Sequence, residues 1–336
     1  MNNSIRVALI GLPCMACQIW DAAAATTPPA SIYHYQADPS SAAIKPANHQ
    51  VKKTTSSVLP FWGDEARQRG YDLPEPFGVN VNYMNMRQNI NVESIKFSGL
   101  ALGPIPLDNA FSLNAGHTRE RSKTETLKLD TWLLPFLNVY GLVGHTDGHS
   151  VSNVSVGINM PGGGTLRPDS LQNLKFQLDF KGTTYGAGTT LVGGIDNWFT
   201  SLDANYTQTR FNILDGSIDA FTLSPRIGYR FTTPGIDRIH LPSGKLSVWV
   251  GSMYQNVQQQ FKGSLNDLHM PSADLRQLLA LANGEGHGRF DVKQHLQSPW
   301  NALVGTQYEI TRNFNVTTEF GFMKRNSFFV AGEFRF

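Results

Sequence analysis

The dominant pattern in the second half of the chain is a strict alternation of apolar and polar side chains over segments of about ten residues. In the final segment, 327–336, Phe328, Phe334 and Phe336 share one face of a strand, because side chains alternate with a period of two. Glu333 and Arg335 fall on the opposite face. A strand with apolar residues on one face and charges on the other suits a barrel that has lipid outside and water inside.

The alternation predicts twelve strands from residue 77 onward, an even number that is typical of single-chain bacterial barrels, with ten strands as the alternative. The predicted strands are 77–87, 92–101, 109–119, 123–134, 137–147, 183–193, 198–211, 219–231, 245–260, 299–310, 314–323 and 327–336. A soluble β-sandwich also alternates, but its inner face would bury Arg226, Arg230 and Glu319 at a high desolvation cost. We therefore predict an all-β fold, a transmembrane antiparallel β-barrel over residues 77–336.

The lengths of the connections assign each end of the predicted barrel to one side of a membrane. If the C-terminus lies in the periplasm, the connections on that side are mostly short, namely 102–108, 135–136, 194–197, 232–244 and 311–313. The two longest connections, 148–182 and 261–298, fall on the opposite side. Short inner turns and long outer loops are typical of barrels in the outer membrane of a Gram-negative bacterium, and we predict that location.

The segment before the barrel contains signals for export. Residues 1–25 combine Arg6 with an apolar core and an alanine-rich end, which predicts a signal peptide. Cys14 and Cys17 both lie in this segment, so the mature chain would have no disulfide and no thiol nucleophile. Residues 26–76 are predicted to be a largely disordered periplasmic segment, because they begin with a run rich in Thr, Pro, Ala and Ser.

Two short helices are predicted outside the strands. The first, 60–69, has acidic residues in its first turn, and its Phe61 and Trp62 are candidates for a plug. This helix docks at the periplasmic mouth or lies partly inside the barrel, and the alternative is an amphipathic helix at the membrane surface. The second, 272–284, carries leucines at helical spacing that fold back over the outer mouth, contact a partner or pack against their own loop.

Composition narrows the function classes. Only 16% of the residues are charged and the net charge is +2, so nothing indicates binding to nucleic acid. No apolar run reaches the roughly 20 residues that a membrane-spanning helix needs. No cofactor and no metal are expected, since His287 and His295 lack the short spacing of metal ligands and Gly162–Gly164 lacks the context of a phosphate-binding loop.

One cluster near the outer end of a predicted strand raises the possibility of hydrolysis. Residues 144–150 collect His145, Asp147, His149 and Ser150, which are the residue types of a nucleophile, a general base and an orienting carboxylate. His149 and Ser150 are adjacent and would face opposite ways on a strand, whereas the His and Ser of barrel phospholipases and lipid A deacylases sit one residue apart. The simpler interpretation of Asp147 and Gly148 is a turn.

The inward face of the predicted barrel carries charges of both signs. The lumen-facing candidates are Lys128, Asp130, Asp203, Arg226, Arg230, Glu309, Glu319, Glu333 and Arg335. Rings of charge can select ions in a pore. Mixed charges can also pair across a narrow lumen and block it, and a barrel of about twelve strands lies between filled barrels and open porins. The sequence leaves both possibilities open.

Three segments resemble a family of proteobacterial outer-membrane β-barrel proteins. They are L-P-F-W-G-D-E-A-R-Q-R-G-Y-D-L-P-E-P-F-G-V-N-V-N-Y at 59–83, W-L-L-P-F-L-N-V-Y-G-L-V-G-H-T at 132–146 and D-N-W-F-T-S-L-D-A-N-Y-T at 196–207. The resemblance implies the barrel and its location, without an activity or functional residues. The C-terminal Phe336 and Phe334 also resemble the signal that the barrel-assembly machinery reads.

The sequence therefore supports three functional hypotheses. The first is a non-enzymatic, narrow channel or transport barrel for a small solute, plugged or gated by the N-terminal segment and by loop 261–298. The second is a surface protein that engages host or environmental partners through 148–182 and 261–298. The third is a hydrolase at residues 145–150. The expected partners are outer-membrane lipid, the assembly machinery at the C-terminal strand, and a small solute or surface partner.

Overall fold

The computed structural model describes residues 58–69, 71–102, 104–107, 110–160, 162–212, 214–234, 243–267, 273–284 and 286–336. Two helices are present in these residues, α1 (Gly63–Gln68) and α2 (Ala273–Ala282), with 3-10 turns at Asp169–Leu171 and Leu265–Asp267. The strands are β1 (Phe77–Ser98), β2 (Ala101–Leu102), β3 (Ile105–Pro106), β4 (Phe111–Leu134), β5 (Leu137–Asn159), β6 (Thr165–Leu166), β7 (Leu174–Ile195), β8 (Trp198–Phe211), β9 (Asp215–Thr233), β10 (Gly244–Ser264), β11 (Arg289–Leu296), β12 (Trp300–Thr311), β13 (Phe314–Phe322) and β14 (Arg325–Arg335). The predicted signal peptide lies outside the described residues.

One antiparallel sheet of twelve strands closes into a ring, which confirms the predicted all-β barrel. Around the inner end, where the C-terminus lies, the paired strands follow the order β1, β4, β5, β7, β8, β9, β10, β12, β13 and β14, and β14 pairs with β1 to close the ring. The ring at the inner end therefore has ten strands in the described part of the chain. The other two members of the sheet, β6 and β11, pair only near the outer end.

Two predicted hairpins near the start of the barrel are wrong. Segments 77–87 and 92–101 form the single strand β1, and segments 109–119 and 123–134 form the single strand β4. The polar residues between the predicted strands do not turn the chain, because the register of β1 with β4 runs without a break from Phe77 to Ile90. Connection 102–108 consequently follows the outer end of β1 and not the inner end.

The inner section of the ring has an apolar outer surface. Outward-facing residues are exposed hydrophobic side chains on strand after strand, and they include Val81, Leu127, Leu129, Val143, Ile195, Phe221, Ile227, Val250, Phe320 and Phe334. Their neighbours along each strand point inward and are mostly polar. We refer to the outward apolar surface as the apolar band, and it has the polarity that a lipid-facing barrel wall requires.

Beyond the apolar band the polarity reverses. In β7 the inward residues become Leu174, Phe176, Leu178 and Phe180, while the outward residues between them are polar or charged. The inward residues of the neighbouring strands change in the same way and form one buried cluster, the outer core. Its members include Ile95, Phe97, Val154, Val156, Phe176, Phe180, Phe261, Phe290 and Val292. This outer section is therefore built like a water-soluble β-domain that continues from the barrel wall.

The outer section consists of two layers. The pairing of β1 with β4 ends at Ile90 and Thr118, and from there β1 pairs with β11, which in turn pairs with β10. This places β10, β11 and β1 in one layer, opposite the ends of β4, β5 and β7 in the other. Side chains meet between the layers, since the rings of Phe180 in β7 and Phe261 in β10 lie 5.4 Å apart.

The two long connections that were predicted as loops consist partly of strand. Residues 148–159 continue β5 and 174–182 belong to β7, so the connection between these two strands is 160–173, and it contains β6. Residues 261–264 continue β10 and 289–296 form β11, which leaves 265–288 as the second loop. The prediction failed because these strands face water on the outside and apolar side chains on the inside, the opposite of the arrangement in the apolar band.

Both predicted helices are present in shorter form. α2 lies in the 265–288 loop, and its Leu279 and Ala282 are buried in the outer core, as expected for a helix that folds back over the outer mouth. The proposed N-cap, Ser272, lies outside the described residues. α1 lies beside the inner end of the barrel. In the described chain neither helix has the length and apolar character needed to cross a membrane.

Candidate functional site

The lumen of the inner section contains a cavity of about 500 Å³. Its walls come from all ten strands of the ring, and polar side chains predominate among the lining residues. Of the predicted lumen residues, the cavity is lined by Lys128, Asp130, Asp203, Arg226, Arg230, Glu319, Glu333 and Arg335. Glu309 does not line it. Its carboxylate lies 3.9 Å from Lys245 at the inner end of β10.

Arg226 and Glu319 form a two-pronged ion pair that reaches over β10 and β12. Arg226 Nε donates to Glu319 Oε2 at 2.6 Å, and Nη2 donates to Oε1 at 3.0 Å. Trp249 Nε1 donates to the same carboxylate at 2.8 Å. The pair is largely shielded from solvent, and such geometry holds both side chains in fixed positions.

Arg335 and Asp130 form a second buried pair on the two strands that flank β1. Arg335 Nη2 lies 2.9 Å from Asp130 Oδ1, and Asn80 and Asn138 donate to the same carboxylate at 2.8 and 2.6 Å. Glu333 contacts the Arg335 guanidinium from the other side. Charges of opposite sign thus neutralise each other within the lumen, which fits the predicted pairing of mixed charges rather than a ring of one sign.

Asp203 and Lys128 are engaged by the phenol of Tyr140. Tyr140 Oη donates to Asp203 at 2.9 Å, and Thr190 and Asn205 donate to the same carboxylate at 2.8 and 2.9 Å. Lys128 Nζ lies 4.6 Å from the centre of the Tyr140 ring, within the range of a cation–π contact. These two predicted lumen residues, one anionic and one cationic, therefore share one aromatic neighbour on β5.

Inward aromatic rings lie flat over glycines of the adjacent strand, a feature that the sequence analysis missed. A Cβ at Gly188 would lie 2.5 Å from the Tyr140 ring, and a Cβ at Gly305 would lie 2.5 Å from the Trp249 ring. The pairs are directly opposite in the register of their strands. Glycine is required here because any side chain would displace the ring from the wall. Only the register reveals which glycine faces which ring.

A layer of buried amides around one carboxylate lies at the outer end of the cavity, where the outer-core residue Phe180 also lines the wall. Glu120 accepts hydrogen bonds from Gln88 Nε2 at 2.9 Å and from Gln259 Nε2 at 2.7 Å, and Gln294 Nε2 donates to Gln259 Oε1 at 2.6 Å. All four side chains are buried. Sequence analysis missed this layer, since β11, which supplies Gln294, was predicted as loop.

Glu120 lies beyond the apolar band, because the outward residues on either side of it, Arg119 and Arg121, are exposed and charged. Burial raises the pKa of Glu120 above its ordinary value, and the hydrogen bonds from Gln259 and Gln88 oppose that rise. Together with Gln88, Gln259 and Gln294, this carboxylate closes the outer end of the cavity with one hydrogen-bonded layer.

The inner mouth is covered by the chain that precedes β1, here called the inner lid (described residues 60–69 and 71–76). At one side the Phe61 N–H donates to Leu133 O at 2.9 Å, next to the β4–β5 turn. At the other, Asp72 lies 3.4 Å from Lys245 in β10, which is half-way around the ring of ten strands. Ala66, between these anchors, and Leu73, which follows Asp72, are only 2% and 3% exposed. The lid therefore crosses the mouth.

The two plug candidates do not enter the lumen. Phe61 and Trp62 are 53% and 61% exposed, and neither lines the cavity. The contacts of the inner lid with the barrel come instead from its small and polar groups, such as Asp72 and the carbonyl of Glu75, which accepts from Arg335 Nε at 2.9 Å. Exposed aromatic rings at a barrel rim fit the predicted alternative of contact with the membrane surface.

The candidate hydrolase cluster is not assembled. His145, Asp147 and His149 lie on the outward face of β5, while Ser150 points inward and is buried. Asp147 instead pairs with Lys181 at 2.9 Å, and in the second loop region His295 Nδ1 lies 2.8 Å from Glu93 Oε1. Over the described ranges, no three His, Cys, Asp or Glu side chains converge as metal ligands would.

No protein-family model matches the chain, and no curated protein matches its sequence significantly. Several solved structures are similar in fold. The β domain of the Bordetella autotransporter BrkA is 9% identical over 78% of this chain and 100% of its own, with a TM-score of 0.35. The transport unit of the autotransporter AIDA-I from Escherichia coli is 11% identical over 78% and 90%, with a TM-score of 0.33. An outer-membrane channel from Pseudomonas putida F1 is 8% identical over 79% and 97%, with a TM-score of 0.31. The chain is thus similar to outer-membrane β-barrels, and this likeness concerns the fold.

Proposed function

We propose that this protein is a non-enzymatic barrel of the outer membrane that is closed to ions and acts at the cell surface through its outer section. The observation that carries the proposal is the outer core. Phe176, Phe180 and Phe261 fill the space above the cavity and are at most 2% exposed. Burying each such ring contributes about 1.5–3 kcal/mol, so thermal motion does not open a path through the core.

The surface role follows from what the outer section presents. Its strands extend past the apolar band as a hydrogen-bonded scaffold, and the loops 160–173 and 265–288 are held on it by buried Leu171 and Leu279. Loops on a rigid scaffold are the usual place for recognition. A cleft of about 490 Å³ with Phe111, Leu113 and Phe290 in its wall offers a contact surface on the same section.

Conductance in planar bilayers tests closure of the lumen. We expect no single-channel steps from the full-length protein, and none from a variant that lacks residues 26–76, because the outer core still fills the lumen. Steps in the full-length protein would contradict the proposal. A shortened variant that conducts would show that the inner lid, and not the outer core, is the barrier.

A surface role is tested separately by loop exchange. Replacing 160–173 and 265–288 by short Gly-Asn turns, with assembly checked by the mobility of unheated samples in gels, should abolish adhesion of cells that display the barrel. A matched variant with the two β-turns at 196–197 and 312–313 replaced should adhere as the parent does. Full adhesion after exchange of both outer loops would contradict a role in surface recognition.

A gated transport barrel is the second candidate, favoured by the polar cavity and its two covers. The cavity has room for a small polar solute, and one anchor of the inner lid is the surface ion pair Lys245–Asp72, a weak kind of contact. Uptake of radiolabelled small solutes into liposomes would distinguish the candidates. Uptake that Asp72→Asn accelerates would support transport, whereas no uptake in either form would support the closed barrel.

A further inference from the structure

A cluster of cations lies on the outward face of β1 and β4, just beyond the apolar band. It consists of Arg87, Arg119, Arg121 and Lys123, here called the cationic patch, and all four side chains are exposed. Arg87 and Arg121 are directly opposite each other in the register of β1 and β4. Like charges placed directly opposite on a sheet are destabilising, so the pair requires a counter-charge that the two strands do not supply.

Nearby carboxylates do not neutralise the patch. Among the residues that the structure describes, no carboxylate oxygen lies within the 4.0 Å of an ion pair from any of the four cations. The carboxylate opposite Lys123 is Asp147, and it already pairs with Lys181 at 2.9 Å on the far side. On β1 the outward neighbours of Arg87 are Asn85 and Asn89, which carry no charge.

Some cations of the outer section are paired, whereas the exposed Lys175 and Lys293 have no ion pair within the described residues. What distinguishes the patch is that two arginines face each other directly. Arg289 lies 2.9 Å from Asp215, and Lys262 lies 3.7 Å from Asp291. These pairs are on the same outer surface as the patch, on β9, β10 and β11. Because Arg87 and Arg121 face each other with no carboxylate of the described chain in ion-pair range, their charges are available to a ligand outside the chain.

The position of the patch identifies the kind of ligand. On β4 the outward residues run from Leu129 and Leu127 in the apolar band through Glu125 to Lys123 and Arg121. Long cationic side chains directly above a lipid-facing wall reach the depth of lipid headgroups, where phosphate groups lie. Arginine pairs, with their planar forked donors, suit the oxygens of phosphate.

We propose that the cationic patch binds the phosphate groups of a phosphorylated lipid headgroup in the outer leaflet. This inference rests on the proposed outer-membrane location. The two guanidinium groups of Arg87 and Arg121 hold one phosphate between them, and Lys123 and Arg119 extend the site along β4. Binding relieves the repulsion between the two arginines and fixes the barrel in the leaflet at the height of its apolar band.

Lipid titration of the purified barrel in phosphatidylcholine nanodiscs tests the proposal. The probes are lipid A with both phosphates, lipid A from which the phosphates have been removed, and inorganic pyrophosphate, and bound lipid is counted by native mass spectrometry. The parent should bind only the phosphorylated lipid tightly. The double variant Arg87→Gln/Arg121→Gln should bind it about 25-fold more weakly, from about fivefold for each cation lost.

A matched control removes two charges that already have partners. Arg289→Gln/Lys262→Gln should bind phosphorylated lipid A within about twofold of the parent. A second patch variant, Arg119→Gln/Lys123→Gln, keeps the test decisive if the first double variant does not assemble. Unchanged affinity in an assembled patch variant, or equal binding of the dephosphorylated lipid, would overturn the proposal.

The experiments also distinguish binding of free phosphate, and absence of the protein from the outer membrane, from binding of the lipid headgroup. If pyrophosphate alone binds to the parent with the affinity of lipid A, the patch takes free phosphate and the lipid assignment is overturned. Cell fractionation is measured independently. A parent protein absent from the outer membrane would overturn the proposed location, whereas a protein found there with patch-independent lipid binding overturns only this inference.

Discussion

The carboxylate of Asp130 and the guanidinium of Arg335 meet 2.9 Å apart across the face of Gly78, although they belong to strands on opposite sides of β1. A Cβ at Gly78 would lie 2.3 Å from Asp130 Oδ2 and 2.8 Å from Arg335 Nη1. The missing side chain is therefore what allows the ion pair to close. The pair joins the C-terminal strand to β4 over the strand between them, at the seam where the ring is completed.

Gly78→Ala should destabilise the barrel by about 1–3 kcal/mol, the range for overpacking a filled site, because the new methyl group separates Asp130 from Arg335. Urea unfolding in lipid vesicles measures the change. Gly332→Ala is the matched control, since a Cβ there has no atom within 4 Å. Equal stability of the two variants would show that the pair closes without the space over Gly78.

Phe180→Ala should lower the free energy of unfolding by about 3–5 kcal/mol, because it leaves a cavity in the outer core where the ring packs against Phe211 and Phe261. Urea unfolding in lipid vesicles measures this change in the free energy of unfolding. Leu281→Ala on α2 removes an apolar side chain that is 68% exposed and should change stability by less than about 0.5 kcal/mol. A small effect of Phe180→Ala would contradict a packed outer core.

Single cysteines should map the boundary between the apolar band and the outer section. Cysteine at Lys175, outward in β7 beyond the band, should react with a membrane-impermeant maleimide on whole cells. Cysteine at Val81 or Phe320 should stay unlabelled until detergent is added, because lipid covers the band. The predicted mature chain has no cysteine of its own, so any label reports the introduced residue. Rapid labelling at Phe320 would remove the basis for a membrane-spanning wall.

Stability should fall as the pH rises above the ordinary Glu120 pKa of 4.5, since burial raises the pKa of Glu120 in the folded state. In that interval the folded protein holds a proton that the unfolded chain releases, so raising the pH favours unfolding. Glu120→Gln should flatten this slope and be more stable than the parent at pH 8. The urea concentrations at the unfolding midpoints of both proteins, at pH 5 and at pH 8, measure this pH dependence of stability.

A matched control for this prediction is Glu125→Gln, which removes an exposed carboxylate from the same strand. It should leave the pH slope of the parent unchanged. The amide introduced at position 120 retains hydrogen-bond partners, because the buried Oε1 of Gln88 has no donor in the described structure. A parent whose stability is level from pH 5 to pH 8 would show that Glu120 ionises without penalty.

The candidate site was only partly predictable from the sequence. Alternation placed Asp203, Arg226 and Glu319 on the polar face of their strands, because a period of two depends only on local backbone geometry. It did not pair them, since the Arg226–Glu319 contact joins strands 93 residues apart and requires the register of four strands. Phe61 and Trp62 were misassigned as a plug because large aromatic residues suggest burial, whereas Ala66 and Leu73 are the buried residues of the inner lid.

The sequence by itself determined that the chain forms alternating strands, which residues share a face, and that the C-terminal strand carries apolar and charged residues on opposite sides. It did not determine which face points inward. Residues 174–181 alternate as cleanly as 221–231, yet their apolar side chains face the outer core while those of 221–231 face outward. Only the tertiary structure decided this, because a strand has the same period whether its polar face meets water or a polar lumen.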